Sequence, residues 1–175
     1  MTSGKFFKYF LRTAAFLVTG LAAQSCGIYS FSGTSIQPDV HSITVNFIEN
    51  RALLVNPELS NLLTEELIDK YRKLTSLEIL DEGGDLEVGG EIVGYDVRPT
   101  AVTADEVAAQ NRLTITVKMY YVNNKHPEEN FEQKSFTAYE DYDSTQSLDA
   151  VQSTLCQNIV EIIVEDIFNS TVANW

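Results

Sequence analysis

Two cysteines and two histidines are the side chains of this sequence that could act as nucleophiles or ligate a transition metal. His41 lies in an alternating stretch and His126 in a turn, and neither has a Cys or His partner at the spacing of a metal site. Cys156 lies in an apolar helical stretch, where a free cysteine behaves as a small hydrophobic side chain. These positions therefore predict no metal site, no cofactor and no catalytic residue.

The acidic residues form three clusters, at 81–85, 128–129 and 140–143. None has the D-x-D-x-D-G order of a calcium loop, and no nucleophile elbow, phosphate loop or dinucleotide fingerprint is present. A pair of catalytic carboxylates could be drawn from so many acids, but solvation of the surface explains them better. We therefore expect that the chain is not an enzyme.

Asp143-Ser-Thr145 resembles a short bacterial signal for protein O-glycosylation. This resemblance makes Ser144 a candidate glycosylation site. The alternative is that the tripeptide forms the start of the last helix, where such residues are favoured as caps.

The charge of the chain is strongly negative, with 12 Lys and Arg against 25 Asp and Glu in 175 residues. Residues 1–25 contain three basic side chains and no acidic one, so the remaining 150 residues have a net charge of −16. A protein that binds DNA, RNA or an anionic membrane surface through electrostatic attraction needs a cluster of Lys and Arg side chains. Nucleic acids are therefore excluded as partners.

The N-terminus has the pattern of a secretory signal. Lys5, Lys8 and Arg12 precede an apolar stretch of about ten residues, which matches a signal peptide and is too short to span a bilayer. Small residues and then Cys26 follow, which resembles the lipobox of bacterial lipoproteins, where the cysteine is acylated and becomes the first residue of the mature chain. We predict a signal peptide at 1–25 and a covalent lipid, such as palmitate, on Cys26. The alternative is a soluble secreted protein cut near Ala23.

The remaining chain shows two helices and several strands. Asn56-Pro57 predicts a helix start, and leucines at steps of three and four continue the helix over about 57–75. A broad apolar stripe predicts a second helix over about 147–169. Alternating or glycine-interrupted apolar stretches predict the strands, at 41–47, 86–97, 113–121 and 130–140, with a further short one at 28–33. Residues 100–110 are predicted as a loop.

This order of elements predicts an α+β fold for a single domain at 26–175. Each helix has one face to bury and the sheet has one face to cover, which favours a two-layer sandwich. We expect a mixed sheet of about four strands with two α-helices packed on one face. A chain of this length buries about 68–70% of its surface on folding, enough for a core without metals or disulfides.

The assembled segments resemble the LptE family, outer-membrane lipoproteins of lipopolysaccharide transport. The resemblance is carried by Cys26-Gly-Ile-Tyr-Ser-Phe-Ser-Gly33, by Asn50-Arg-Ala-Leu-Leu-Val-Asn-Pro57, by the strand Asn111–Val117 and by the closing helix. It implies a non-catalytic protein on the periplasmic face of the outer membrane. It also implies a β-barrel partner, LptD, which the lipoprotein plugs and helps to assemble while lipopolysaccharide passes to the outer leaflet.

The resemblance further implies that basic residues at one end of the domain contact lipopolysaccharide. Arg98 and Arg112 are the candidate contacts, and the alternative is that both are solvated charges at strand ends. A surface of net charge −16 repels phosphorylated lipid. The resemblance therefore supports the β-barrel partner of this chain more strongly than it supports a contact with lipopolysaccharide. A second interpretation of the whole chain is a periplasmic lipoprotein that docks on a cell-wall synthase as a regulatory module.

Overall fold

The computed structural model describes residues 36–54, 56–100 and 110–173. They all belong to one compact unit, Gly33–Trp175. The predicted signal peptide, Cys26, the short strand predicted at 28–33 and nearly all of the loop predicted at 100–110 lie outside the described residues.

Six strands and two helices make up the described part of the chain. The strands are β1 Ser42–Val45, β2 Glu49–Asn50, β3 Glu78–Ile79, β4 Leu86–Pro99, β5 Gln110–Asn123 and β6 Phe131–Asp143. The helices are α1 Leu59–Leu74 and α2 Leu148–Thr171, and a single 3₁₀ turn spans Pro127–Glu129 between β5 and β6. Among these residues, neither α-helix is long and apolar enough to cross a membrane.

The strands form one mixed sheet in the order β3-β1-β4-β5-β6, and β2 pairs with β4 further along the same edge. β1 is parallel to β3 and β4, whereas β5 is antiparallel to both of its neighbours. The α+β class and the mixed sheet are thus confirmed. The expected number of about four strands is wrong, because β2 and β3 contain two residues each and are too short to show an alternating pattern.

Both helices cover one face of the sheet. Strand β5 shows this alternation most clearly, since its odd-numbered residues from Leu113 to Tyr121 are buried and the even-numbered ones between them are not. The buried side chains join the apolar faces of α1 and α2 in one core. The sheet face that points away from the helices is called the open face below. It includes Thr114, Thr116, Lys118 and Tyr120 of β5.

Helix α1 begins two residues later than predicted, at Leu59. The N-cap is Glu58 and not the predicted Asn56, whose side chain instead accepts a hydrogen bond from the backbone N–H of Glu58 at 3.0 Å in a turn before the helix. The turn through Pro57 therefore leads the chain into the helix. Arg72 and Lys73 lie in its last turn, where the helix dipole favours cations.

Helix α2 is buried on more than one side, as its wide apolar stripe predicted. It packs on α1, β5 and β6. Near its C-terminal end, Thr171 and the fully buried Tyr71 of α1 share a hydrogen bond of 2.7 Å between their hydroxyl oxygens. Cys156 is buried in the same helix, so the prediction that it serves as a hydrophobic core residue is confirmed.

Candidate functional site

The candidate lipid contacts Arg98 and Arg112 lie opposite each other in the β4–β5 register. Residues paired in this way point to the same face, here the open face, because their neighbours Val97 and Leu113 pair on the side of the helices. The pair lies at the end of the sheet where residues 101–109 connect the two strands. The structure thus brings together two side chains that are 14 positions apart in the sequence.

Arg112 is held in place by its neighbours on β6. Its Nε and Nη2 atoms donate to the two carboxylate oxygens of Asp141 at 2.7 and 2.8 Å, and its guanidinium carbon lies 3.7 Å from the centre of the Tyr139 ring. The hydrogen bonds to Asp141 raise the pKa of Arg112, and they lower the pKa of the Asp141 carboxyl. The guanidinium group of Arg112 is therefore already bound to a carboxylate of the protein itself.

Arg98 is the more available cation of the two. Its side chain is 81% exposed and its Nε atom lies 2.5 Å from the carboxylate of Asp96 on the same strand. An exposed pair of this kind contributes little to stability and exchanges readily with other anions. The two arginines and two aspartates together carry no net charge, so the positive charges of this end are balanced within the protein.

Ser144 lies in the turn between β6 and α2, at the same end of the sheet as the arginines, and its side chain is exposed. The turn is ordered by Asp143, whose carboxylate accepts hydrogen bonds from the backbone N–H and the hydroxyl of Thr145 at 2.8 and 2.7 Å. These bonds lower the pKa of Asp143. Helix α2 starts after this turn, with Ser147 as its N-cap. Ser144 stays a predicted glycosylation site.

The two histidines lie at the opposite end of the sheet. The Nε2 atom of His126 lies 3.0 Å from the Asp39 carboxylate, and its Nδ1 atom lies 3.7 Å from Glu128. His41 is exposed, and its backbone N–H donates to Asp85. Within the described ranges, no group of three or more His, Cys, Asp or Glu residues could hold a metal ion.

A polar cluster on the open face was not predicted from the sequence. Asn46 donates through Nδ2 to the Tyr120 hydroxyl and to Glu87, at 2.7 Å each, and the Tyr120 hydroxyl donates to Glu87 at 3.2 Å. The three residues come from β4, β5 and the segment after β1. The glycines of β4 were the available signal, because Gly89 makes the close backbone approach that they predicted. A Cβ atom there would lie 2.7 Å from the Tyr120 hydroxyl.

The sequence of this chain matches one known protein family over most of its length. A model of the LptE family, described as lipopolysaccharide-assembly, matches residues 40–171. This match runs from just before β1 to the end of α2. The chain belongs to the LptE family. The resemblance to the LptE family that was stated from the sequence is thus confirmed. The matched residues include all of the described strands and helices.

Several solved structures are similar to this LptE-family chain at low identity. Lipoprotein B from Nitrosomonas europaea has 9% identity and a TM-score of 0.48, covering 73% of this chain and 79% of that one. Protein CT253 from Chlamydia trachomatis has 11% identity and a TM-score of 0.47, covering 75% and 97%. Lipoprotein GNA1162 from Neisseria meningitidis has 13% identity and a TM-score of 0.41, covering 74% and 99%. At this level they carry no argument about function. No curated protein sequence matches the chain.

Proposed function

We propose that this chain is an outer-membrane lipoprotein, anchored through Cys26 on the periplasmic face, that plugs the LptD β-barrel and helps to assemble it. In this role it assists the transfer of lipopolysaccharide to the outer leaflet and catalyses no reaction. The observation that carries the proposal is the family match over residues 40–171, which spans every described strand and helix.

The open face of the sheet supports a role as a plug. Large outer-membrane barrels have a polar, water-filled interior, so a domain placed inside one needs polar surfaces. On the open face, Thr114, Thr116 and Thr137 occupy neighbouring strand positions, and Thr116 and Thr137 face each other across β5 and β6. The helices bury the apolar side of the sheet, which leaves this broad polar surface available for a barrel lumen.

The first described residues before β1 and the two arginines lie at opposite ends of the sheet. His41 precedes β1 and binds Asp85, next to the first residue of β4, whereas Arg98 lies near the end of that strand. A strand of 14 residues spans about 40 Å. The described chain thus enters β1 at one end of the sheet, and Arg98 lies near the other end.

Arg98 is the better candidate for contact with lipopolysaccharide phosphates, because Arg112 is already bound to Asp141 and Tyr139. Arg98 needs only to exchange the exposed Asp96 carboxylate for a phosphate. Arg112 then contributes by its positive charge across the strand and by holding β5 against β6. The surrounding negative charge keeps such a contact dependent on ionic strength.

The experiment that tests the proposal is a pull-down of the tagged, full-length lipoprotein from outer membranes in mild detergent, with the co-purifying proteins identified by mass spectrometry. We expect a large β-barrel in stoichiometric amount. An unrelated lipoprotein with the same tag, from the same membranes, serves as the control. Recovery of a cell-wall synthase, or of no partner, would contradict the plug role and favour the regulatory module.

A further inference from the structure

A hollow of about 390 Å³ lies on the open face, away from the arginine end. Its volume falls in the range of ligand pockets, about 300–1,000 Å³. The wall includes one aromatic ring exposed to solvent and several side chains with hydrogen-bonding atoms. Among the residues of this wall are Asn46, Phe47, Arg51, Lys118, Tyr120 and Gln133.

Phe47 is the unusual side chain of this hollow. It is 57% exposed, although the neighbouring Ile48 is completely buried in the core. An exposed aromatic ring beside polar groups is typical of binding surfaces, because the ring offers a flat apolar face at a low cost in conformational entropy. Phe47 therefore supplies an exposed aromatic contact area beside the hydrogen-bonding groups of the hollow.

Tyr120 and Asn46 are held in position before any ligand arrives. Their mutual hydrogen bond and their shared partner Glu87 hold both side chains, and Gly89 leaves the space that the Tyr120 ring occupies. A side chain that is locked by packing and hydrogen bonds loses little entropy when it binds. The polar wall of the hollow is thus preorganised.

Gln133 adopts a strained backbone conformation at the rim. Its φ is 52°, a region that residues other than glycine rarely occupy, and it is the only such non-glycine residue in the described ranges. Glu132 and Gln133 together oppose the single residue Tyr120, which makes a β-bulge in β6. Bulges and strained residues concentrate at functional sites, where they direct a side chain that regular pairing would place elsewhere.

The side chains of the hollow argue against two other ligand types, a phosphate group and an acyl chain. Arg51 is paired with Glu49 at 2.7 Å and with Glu91 at 3.2 Å, so the site lacks the cluster of free cations that a phosphate requires. An acyl chain has no hydrogen-bonding atoms to offer the side chains of Asn46, Tyr120 and Gln133, which have both donors and acceptors. Donors, acceptors and one apolar ring match a pyranose, which has hydroxyl groups at its edge and C–H groups on its face.

We propose that this hollow binds a pyranose unit of an oligosaccharide, with Phe47 against the sugar face and Asn46, Lys118, Tyr120 and Gln133 around its hydroxyl groups. The biological ligand named by this inference, the sugar portion of lipopolysaccharide, rests on the proposed function. Binding of a sugar by the hollow itself does not, because the site contains neither Arg98 nor Arg112 and needs no barrel.

The test uses the full-length lipoprotein in detergent and, as the probe, the core oligosaccharide of the host's lipopolysaccharide, released by mild acid and dephosphorylated. Saturation-transfer difference NMR measures its binding. We expect saturable binding by the wild type and a loss of about tenfold or more in Phe47→Ala, as for removal of an aromatic anchor. In Gln133→Gly we expect weaker binding with an unchanged or higher melting temperature, because glycine accepts the positive φ without strain.

Ile162→Ala is the matched control, since Ile162 is an exposed apolar side chain of similar exposure, 49%, on helix α2. It should bind the oligosaccharide like the wild type. The proposal is overturned if the wild type shows no saturable transfer at millimolar sugar, if Phe47→Ala binds normally, or if Ile162→Ala loses as much affinity. The probe lacks lipid and phosphate and the assay contains no barrel, so this result is separate from the outcome of the pull-down.

Discussion

Arg98 and Arg112 face each other across β4 and β5, yet each is bound to an aspartate of its own, Asp96 at 2.5 Å and Asp141 at 2.7 Å. Two like charges directly opposite each other destabilise a strand pair, and the aspartates remove that repulsion. The two pairs differ in exposure and geometry, with Arg112 bound through two hydrogen bonds and Arg98 through an exposed contact. The two arginines therefore have different roles in binding and in stability.

Substitution of the arginines should separate these roles. We expect Arg98→Ala to lower affinity for lipopolysaccharide severalfold with an unchanged melting temperature, because its ion pair is exposed. Arg112→Ala should lower the melting temperature as well, since Asp141 and Tyr139 lose their partner. Binding of intact lipopolysaccharide and thermal unfolding measure the two effects. Unchanged binding in the Arg98→Ala/Arg112→Ala double variant would remove both residues from the contact.

The buried Tyr71–Thr171 hydrogen bond makes a prediction about the packing of the two helices. Tyr71→Phe should cost about 0.5–1.5 kcal/mol, because the Thr171 hydroxyl keeps its bonds to the carbonyls of Ile167 and Phe168. Thr171→Val should cost more, about 1–3 kcal/mol, because it leaves the Tyr71 hydroxyl buried without an acceptor.

Urea denaturation of the two single variants and of the double variant measures this difference. The double variant should be more stable than Thr171→Val alone, since it removes the unsatisfied hydroxyl. Equal and additive losses would show that the two hydroxyl groups do not interact. Burial raises the pKa of Tyr71 well above its ordinary value, so the phenol stays neutral in the folded protein.

The contact between His126 and Asp39 predicts a dependence of stability on pH. The hydrogen bond to Asp39 raises the pKa of His126, and the same bond lowers the pKa of Asp39. A raised histidine pKa stabilises the fold below the unfolded value of 6.5, and this contribution is lost as pH rises through the folded value. The lowered pKa of Asp39 contributes above its unfolded value of 3.8 and is lost as pH falls through its folded value.

The ion pair therefore stabilises the fold between these limits. We expect His126→Gln to lower the melting temperature at pH 5.5 and to have less effect at pH 8.5, because the stabilisation is lost as the pH rises through the folded pKa of His126. His41→Gln is the control, because His41 is exposed and is joined to Asp85 through its backbone N–H. A loss in His126→Gln that is larger at pH 8.5 than at pH 5.5 would contradict the assignment.

The lipid anchor is tested by replacing the two cysteines separately. Cys26→Ala should abolish labelling by radioactive palmitate and should release the protein from the membrane fraction, because the acyl chains supply the membrane affinity. Cys156→Ala should keep both properties, since that thiol is buried in α2. Retention of Cys26→Ala in the membrane without acylation would show that a partner, and not a lipid, holds the protein.

The regular elements could be predicted because their patterns are local. The leucines of α1 recur at steps of three and four, and apolar residues from Leu113 to Tyr121 alternate with polar ones along β5. The spacing in each segment therefore indicates which face is buried. β2 and β3 could not be found in this way. A strand of two residues is too short to show a periodic pattern. These two segments are strands only because their backbones pair with β1 and β4.

The features of the candidate site also separate into those that the sequence predicts and those that depend on the tertiary structure. The sequence by itself determined the family, the helix-covered sheet and which residues were chemically available, including Arg98, Arg112 and Ser144. The tertiary structure alone decided that the arginines face each other, that Arg112 is bound to Asp141, and that Asn46 meets Tyr120 from 74 positions away. Periodicity records which side of a strand is buried, whereas side-chain partners depend on which strands become neighbours and in what register. That register is set by the packing of the whole sheet against its two helices.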